Sequence, residues 1–353
     1  MRITPTILVI PTGIGCEIGG FAGDALPSAK LLASASGCLV THPNVMNGGS
    51  LSEKDERIFY VEGYSLDRFA RAEIGLKKVN QQKIGIIFDK NIENEILLRH
   101  LQVADACIAT LGIDINSYVI TDEPVGIVIS DELSGLSSGY VKNPDTLIKA
   151  GESLINQGIT AIAIVTRFPD EIDIENVNLY REGKGIDVIA GVEAVISHLI
   201  SKYLKVPCAH APALTPIDLK VNLDPRAAAE EIGYTFLPSV LIGLSTAPDL
   251  IDLPNFNDKV TIHPNEIESI VAPSGALGGE AVLACMERNL NIIAVKNEGV
   301  LNISNKWFDY QRLFTVENYF EAAGLLIAIR EGINYKSIQR PLKSIKDCNQ
   351  DLK

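Results

Sequence analysis

The chain is 353 residues long and 46% hydrophobic, with 44 acidic against 31 basic side chains and a formal net charge of −13; that length accommodates one large domain or two ordinary ones around a sizeable core. An acidic balance without a Lys/Arg cluster argues against a nucleic-acid partner or an anionic membrane surface, because both are bound through grouped cations. Six scattered cysteines with no CxxC spacing, no secretory leader and no apolar run of about twenty residues point to a soluble protein of a reducing, cytoplasmic compartment.

An apolar run at residues 6–10 reads as a strand, followed by a glycine-dense loop over 12–20 and a helix over 25–36 that Gly37 stops. Residues 38–41 return as a strand ending in the His42-Pro43-Asn44 loop, 58–62 form another, and Ser65 caps a helix over 65–74. A strand at 83–89 and a helix over 93–110 come next. Residues 118–120 and 125–129 suggest a hairpin or one bent strand, with a Ser/Gly loop over 130–139 and a helix over 146–156 beyond. We place a boundary here, giving an N-terminal α/β half over 1–140 and a C-terminal α/β half over 141–353. The second half alternates apolar strands (161–165, 206–210, 239–243, 267–272, 292–295) with helical patterns at 188–203, 227–232, 280–289 and 316–329. This alternation predicts an α/β fold of mostly parallel sheet with helices on both faces. The basic-leaning end around Lys336, Arg340, Lys343 and Lys346 reads as a solvated tail.

In open parallel sheets ligands sit beyond the carboxyl ends of the strands, where loops converge and helix N-termini point inward. Two glycine loops fit that description. The first contains Thr12, Gly13, Gly15, Gly19 and Gly20; the second, after a strand near the other end, contains Ser274, Gly275, Gly278 and Gly279. Both are candidate cradles for a phosphate or carboxylate, and they are expected to open onto one cleft, with Asn44 contributing. The first misses the G-x-G-x-x-G spacing, no acidic residue ends the second strand, and the Walker pattern is absent, so neither NAD nor P-loop ATP is indicated. The cofactor is left unassigned.

Of the five histidines, His210 and His42 are the candidate acid/base groups, since each stands where a strand opens into a loop. The competing reading for both is a side chain that ties the strand end to nearby backbone. His100 and His263 read as packing or loop residues, and His198, mid-helix among apolar neighbours, as a satisfied core histidine. Glu17 and Asp131 are the candidate carboxylate partners. Asp24, Glu193 and Glu280 are weighed beside them, with a capping or dipole role at least as strong a reading as catalysis for Asp24 and Glu280. Cys208, two positions from His210, shares its side of the strand and supplies at most half a zinc site, so no metal is assigned.

The runs at 11–25, 41–45, 125–142 and 193–214 resemble a family of uncharacterised proteins found mainly in cyanobacteria and plant plastids. The likeness covers most of the chain; it implies a cytoplasmic or stromal protein and transfers no mechanism. The residues themselves suggest an enzyme of the transferase, lyase or isomerase type acting on a small anionic metabolite. The alternative is a non-catalytic metabolite sensor of the same architecture, and a third reading is a metal enzyme using His210, Cys208 and His198. A homo-oligomer is left open.

Overall fold

The computed structural model describes residues 2–48, 54–130, 135–170, 174–233, 235–253, 261–342 and 344–345. Strand β1 (Thr6–Leu8) leads through the first glycine loop into α1 (Leu26–Ser36), then β2 (Leu39–Thr41), α2 (Pro43–Met46), β3 (Ile58–Tyr60), α3 (Gly63–Ala70) and β4 (Ile74–Lys77). The middle of the chain forms β5 (Ile84–Phe88), α4 (Asn94–Leu111), β6 (Ile115–Ile120), β7 (Ile127–Ser130), β8 (Ser138–Val141), α5 (Pro144–Asn156) and β9 (Ala161–Arg167). After it come α6 (Ile174–Arg181), α7 (Ala190–Leu204), β10 (Cys208–Ala213), α8 (Pro225–Glu231), α9 (Leu237–Leu244) and β11 (Asp249–Asp252). The last stretch is β12 (Ser269–Pro273), α10 (Glu280–Glu287), β13 (Asn291–Val295), β14 (Leu313–Val316) and α11 (Tyr319–Arg330).

Among the described residues the strands make two parallel sheets, one of six in the order β14-β13-β12-β1-β2-β3 and one of four in the order β10-β9-β5-β6, with the antiparallel pairs β4–β11 and β7–β8 beside them, so the fold is α/β. Strands β9, β10, β12 and β13 are buried at every position because helices cover both faces. Alternation sorts their side chains. Leu8, Phe88 and Ala209 enter a central core lying between the sheets, Ile7 and Ile270 pack under α3 and α10, and Ile87, Ile162 and Cys208 pack under α5 and α7. Each fully buried aliphatic contributes on the order of 2 kcal/mol from its apolar area.

Several elements differ from the pattern reading. The sheets do not divide near Gly139: the six-stranded sheet joins β1, β2 and β3 to β12, β13 and β14, and the four-stranded sheet joins β5 and β6 to β9 and β10. Residues 239–243 belong to helix α9, not a strand; a short apolar run lacks the period that separates a buried helix from a buried strand. Helix α3 begins at Gly63, capped by the Glu62 carboxylate, and Ile74 already belongs to β4. Residues 118–120 join the four-stranded sheet as its parallel edge, whereas β7 turns back on β8 as an antiparallel hairpin.

Candidate active-site cavity

Loops after β1, β2, β3, β9, β10 and β12 all reach one cavity of about 1020 Å³, so the carboxyl ends of both sheets serve the same space. Helices α3, α7 and α10 begin at its wall. Their exposed N–H groups and positive ends create an acceptor-seeking surface. The protein supplies those acceptors itself: Glu62 accepts from Tyr64 N (2.9 Å) and Ser65 N (3.4 Å) at α3, and Asp187 accepts from Ile189 N (3.0 Å) just ahead of α7.

The first glycine loop follows the same rule. Gly19 N donates to the Asp24 carboxylate, Ala22 N to the Glu230 carboxylate and Ile18 N to Asn297 Oδ1 (2.9 Å). The acceptors in this cradle are therefore the Asp24 and Glu230 carboxyls, and these amides are spent. Nor do the glycines face the cavity. Gly13 packs on Ser137 and Ala190, Gly15 on Ile186, Gly19 on Ile10 and Gly20 on the Cys16 carbonyl; Gly13, Gly15 and Gly19 also hold left-handed φ values of 69°, 63° and 88°. In the second loop Gly275 lies against Leu301 and Gly278 against Ile303, while Ser274 N donates to Val295 O at 2.7 Å. Among the described residues only Thr12, Asn44 and Gly279 of the proposed ligand contacts line the cavity. Glu17 is exposed and offers its carbonyl to Arg226 (3.3 Å), away from the wall. Asp131 lies outside the described residues.

The histidines are brought together as a set. His210 points from β10 to α7, where its Nδ1 meets Glu193 Oε1 at 2.9 Å and its Nε2 meets Thr166 Oγ1 at 2.7 Å. The Phe168 ring stands edge-on to the imidazole at 5.8 Å. The His210 side chain is 1% exposed and that of Glu193 is 23% exposed, so this relay ends on the carboxylate, not on the imidazole. Cys208, on the same side of the strand, donates to Ser197 O at 3.3 Å, and burial pushes its thiol far up from the ordinary range. Among the described residues no group of three metal-ligating side chains is assembled.

His42 accepts from Ile10 N at 3.0 Å, buckling the exit of β1 to that of β2. Burial, with His198 nearby, holds its pKa down at about 4, so the ring is neutral near pH 7. His198 is not a core residue: it faces the cavity from α7 with its Nε2 3.2 Å from Glu62 Oε1. Burial pushes Glu62 up to about 7 and Asp67 up to about 6. On the opposite wall burial, reinforced by Glu193, pushes Asp187 up to about 7; burial, reinforced by Asp187, pushes Glu230 up as well, and Tyr180 Oη donates to Glu230 at 2.8 Å. Burial, and after it the repulsion between like charges, opposes ionising Asp187 and Glu230 together.

Among the described residues nine carboxyls line the cavity against two cations, Arg181 and Lys220. Arg181 is committed to Glu231 at 2.7 Å and Lys220 to Glu182 at 3.0 Å. Pattern reading missed Glu62, Asp67, Asp187 and Glu230 because they reach the wall from separate parts of the chain, the start of α3, the stretch ahead of α7, and α8; it also missed Thr166, which reaches His210 from β9. One signal was present: Glu193, Ser197 and His198 recur at helical spacing after a glycine loop, which puts a polar stripe on one face of α7.

A family described as "Protein of unknown function (DUF3326)" matches residues 5–339. A protein of Synechococcus sp., named "Uncharacterized lipoprotein syc1174_c", is 44% identical over 336 residues, covering 94% of this chain and 92% of that protein. No solved structure matches. The match to nearly the whole chain and the identity with the Synechococcus protein place this chain in the DUF3326 family of unknown function.

Proposed function

We propose that the protein is an enzyme performing acid–base chemistry, of the isomerase, lyase or transferase kind, on a neutral or cationic hydroxyl- or amine-bearing small molecule. The observation that carries this reading is the Thr166–His210–Glu193 relay, which ends on a carboxylate facing a cavity of ligand size. A buried imidazole that holds one oxygen of Glu193 leaves the other for substrate, and the carboxyls raised toward neutrality beside it suit proton donation.

Both ring nitrogens of His210 are engaged by the protein, which favours a second reading, a non-catalytic binding protein. Untargeted metabolite capture on the purified protein separates the two. The enzyme reading expects captured compounds to be neutral or cationic and to be converted by the parent, with Glu193→Gln slowing conversion about a hundredfold or more while retaining capture. Capture without conversion supports the binding protein. Capture confined to phosphorylated or carboxylate compounds would reinstate the anionic ligand, and no capture would count against both.

For location we retain the cytoplasmic reading. Among the described residues no helix is long and apolar enough to cross a membrane, and the relative's name speaks of a lipoprotein. Two features weigh against carrying that word to Cys16, the first cysteine of this chain. Its side chain is buried, 3% exposed, with burial pushing the thiol up to about 12. Processing immediately ahead of it would remove β1, which pairs with both β12 and β2 inside the six-stranded sheet. Intact-mass analysis of protein recovered from cells is expected to show β1 retained ahead of Cys16 and Cys16 unmodified; a diacylglycerol-sized mass gain on Cys16 would refute this.

A further inference from the structure

Resting on the acid–base reading, we infer that the cavity is a two-station proton-transfer site on one face of α7, with Glu193 and His198 as its two stations, suited to isomerising a neutral hydroxy-aldehyde or hydroxy-ketone. Ala190, Glu193, Ala194, Ser197 and His198 all line the cavity from α7. Their spacing is that of a single helix face. His198 stands five positions beyond Glu193, about 7.5 Å along the helix axis, a gap that a molecule of three to six carbons spans.

The stations are mirror arrangements. At the first, the carboxylate (23% exposed) faces the cavity and a buried imidazole (1% exposed) backs it. At the second, the imidazole (46% exposed) faces the cavity and a buried carboxyl (2% exposed) backs it. The second is also built for that contact: Glu62 is anchored by the α3 amides, and Ser65 Oγ meets Ser201 Oγ of α7 at 2.5 Å, holding the two helices together. Gly63 leaves the space that His198 uses, since a β-carbon there would stand 2.7 Å from His198 Nε2. Substrate charge follows from the wall, where both cations are already paired and Asn44 and Asn178 join the carboxyls as partners for hydroxyl groups.

The chemistry balances without a co-reactant. Glu193 removes the proton from the carbon next to the substrate carbonyl, and the carbonyl oxygen takes the proton shared by His198 and Glu62, giving an enediol. In the second half Glu193 returns its proton to the neighbouring carbon, while the adjacent hydroxyl gives its proton back to His198. One C–H bond breaks and one forms, one O–H bond forms and one breaks, and the product is an isomer.

The test is incubation of the protein in deuterium oxide with a panel of unphosphorylated three- to six-carbon aldoses and ketoses, read by proton NMR. At least one compound is expected to take up deuterium next to its carbonyl and to interconvert with its isomer. Glu193→Gln and His198→Asn should each slow this about a hundredfold or more, and Gly63→Ala should slow it by displacing His198. Because a folding role alone would not shift a pH profile, Glu62→Gln adds a second readout: it should move the pH midpoint of exchange without abolishing it. Exchange that survives in both station variants overturns the assignment of the stations. Panel compounds that raise the melting temperature but carry no deuterium overturn the isomerisation and leave the acid–base cavity for another reaction. No binding and no exchange overturns the inference for neutral hydroxycarbonyl substrates, while the capture experiment above still decides the broader reading.

Discussion

Gly191→Ala is expected to destabilise the protein by about 2 kcal/mol, although the same change in an open helix would stabilise it by about 1 kcal/mol. Gly191 lies in the first turn of α7, and a β-carbon there would stand 2.6 Å from the Ser137 carbonyl carbon and 2.9 Å from Ser138 Cα. Both neighbours are backbone, so neither can rotate away. The segment is further pinned because Ser137 Oγ donates to Val188 O and accepts from Gly191 N, each at 2.8 Å. The added methyl must therefore lift α7 from the β8 strand or strain the hairpin, and a lifted α7 carries Glu193 away from His210. Urea denaturation of parent and variant measures the first effect, and loss of ligand capture measures the second. A variant as stable as the parent would show that the helix and hairpin are not in rigid contact.

Glu62→Gln is expected to leave stability unchanged at pH 4.5 and to raise it by about 1–3 kcal/mol at pH 8. The sign follows from the direction of the shift. Burial pushes the folded-state pKa of Glu62 up to about 7 from a reference of 4.5. Below pH 4.5 the folded and unfolded chains both hold the proton. Between about 4.5 and 7 only the folded chain holds it, so stability falls as pH rises; above that both are ionised, and the full cost of a buried carboxylate stands. The displacement from 4.5 to about 7 corresponds to at most about 3–4 kcal/mol. Glutamine keeps a carbonyl oxygen for Tyr64 N and Ser65 N, so the cap survives while the charge is removed. Asp67 and Asp187 are raised in the same direction, so the variant keeps part of the slope. Urea midpoints at pH 4.5, 6 and 8 provide the comparison. Parallel curves for parent and variant would show that Glu62 does not carry a raised pKa.

How far the site could be read beforehand depends on which interactions were local. His210 stood out because a polar side chain ends an otherwise apolar stretch between two prolines, and the structure does seat it on the wall. Its partner did not, since Glu193 lies seventeen positions away and reaches it only because β10 packs under α7. The glycine loops misled for a related reason. Sequence shows that a backbone needs left-handed φ or close approach, but Gly13 and Gly275 meet that need by packing on Ser137 and Leu301. The loop amides looked free because Asp24 is a few residues off and Glu230 more than two hundred away.

By itself the sequence determined the parallel α/β class, since strand burial on both faces and helical periodicity are properties of contiguous residues. It also determined the acidity that the cavity inherits. Only the tertiary structure decided which strands share a sheet, because β1 pairs with β12 across more than two hundred and fifty residues without any local trace of that pairing. It alone decided the chemistry of the cavity as well. Glu62 caps α3, Asp187 stands ahead of α7, Glu193 and His198 share α7, and His210 lies on β10; the pKa shifts of Glu62 and Asp187 arise chiefly from burial, which exists only once the helices have closed over the sheet ends.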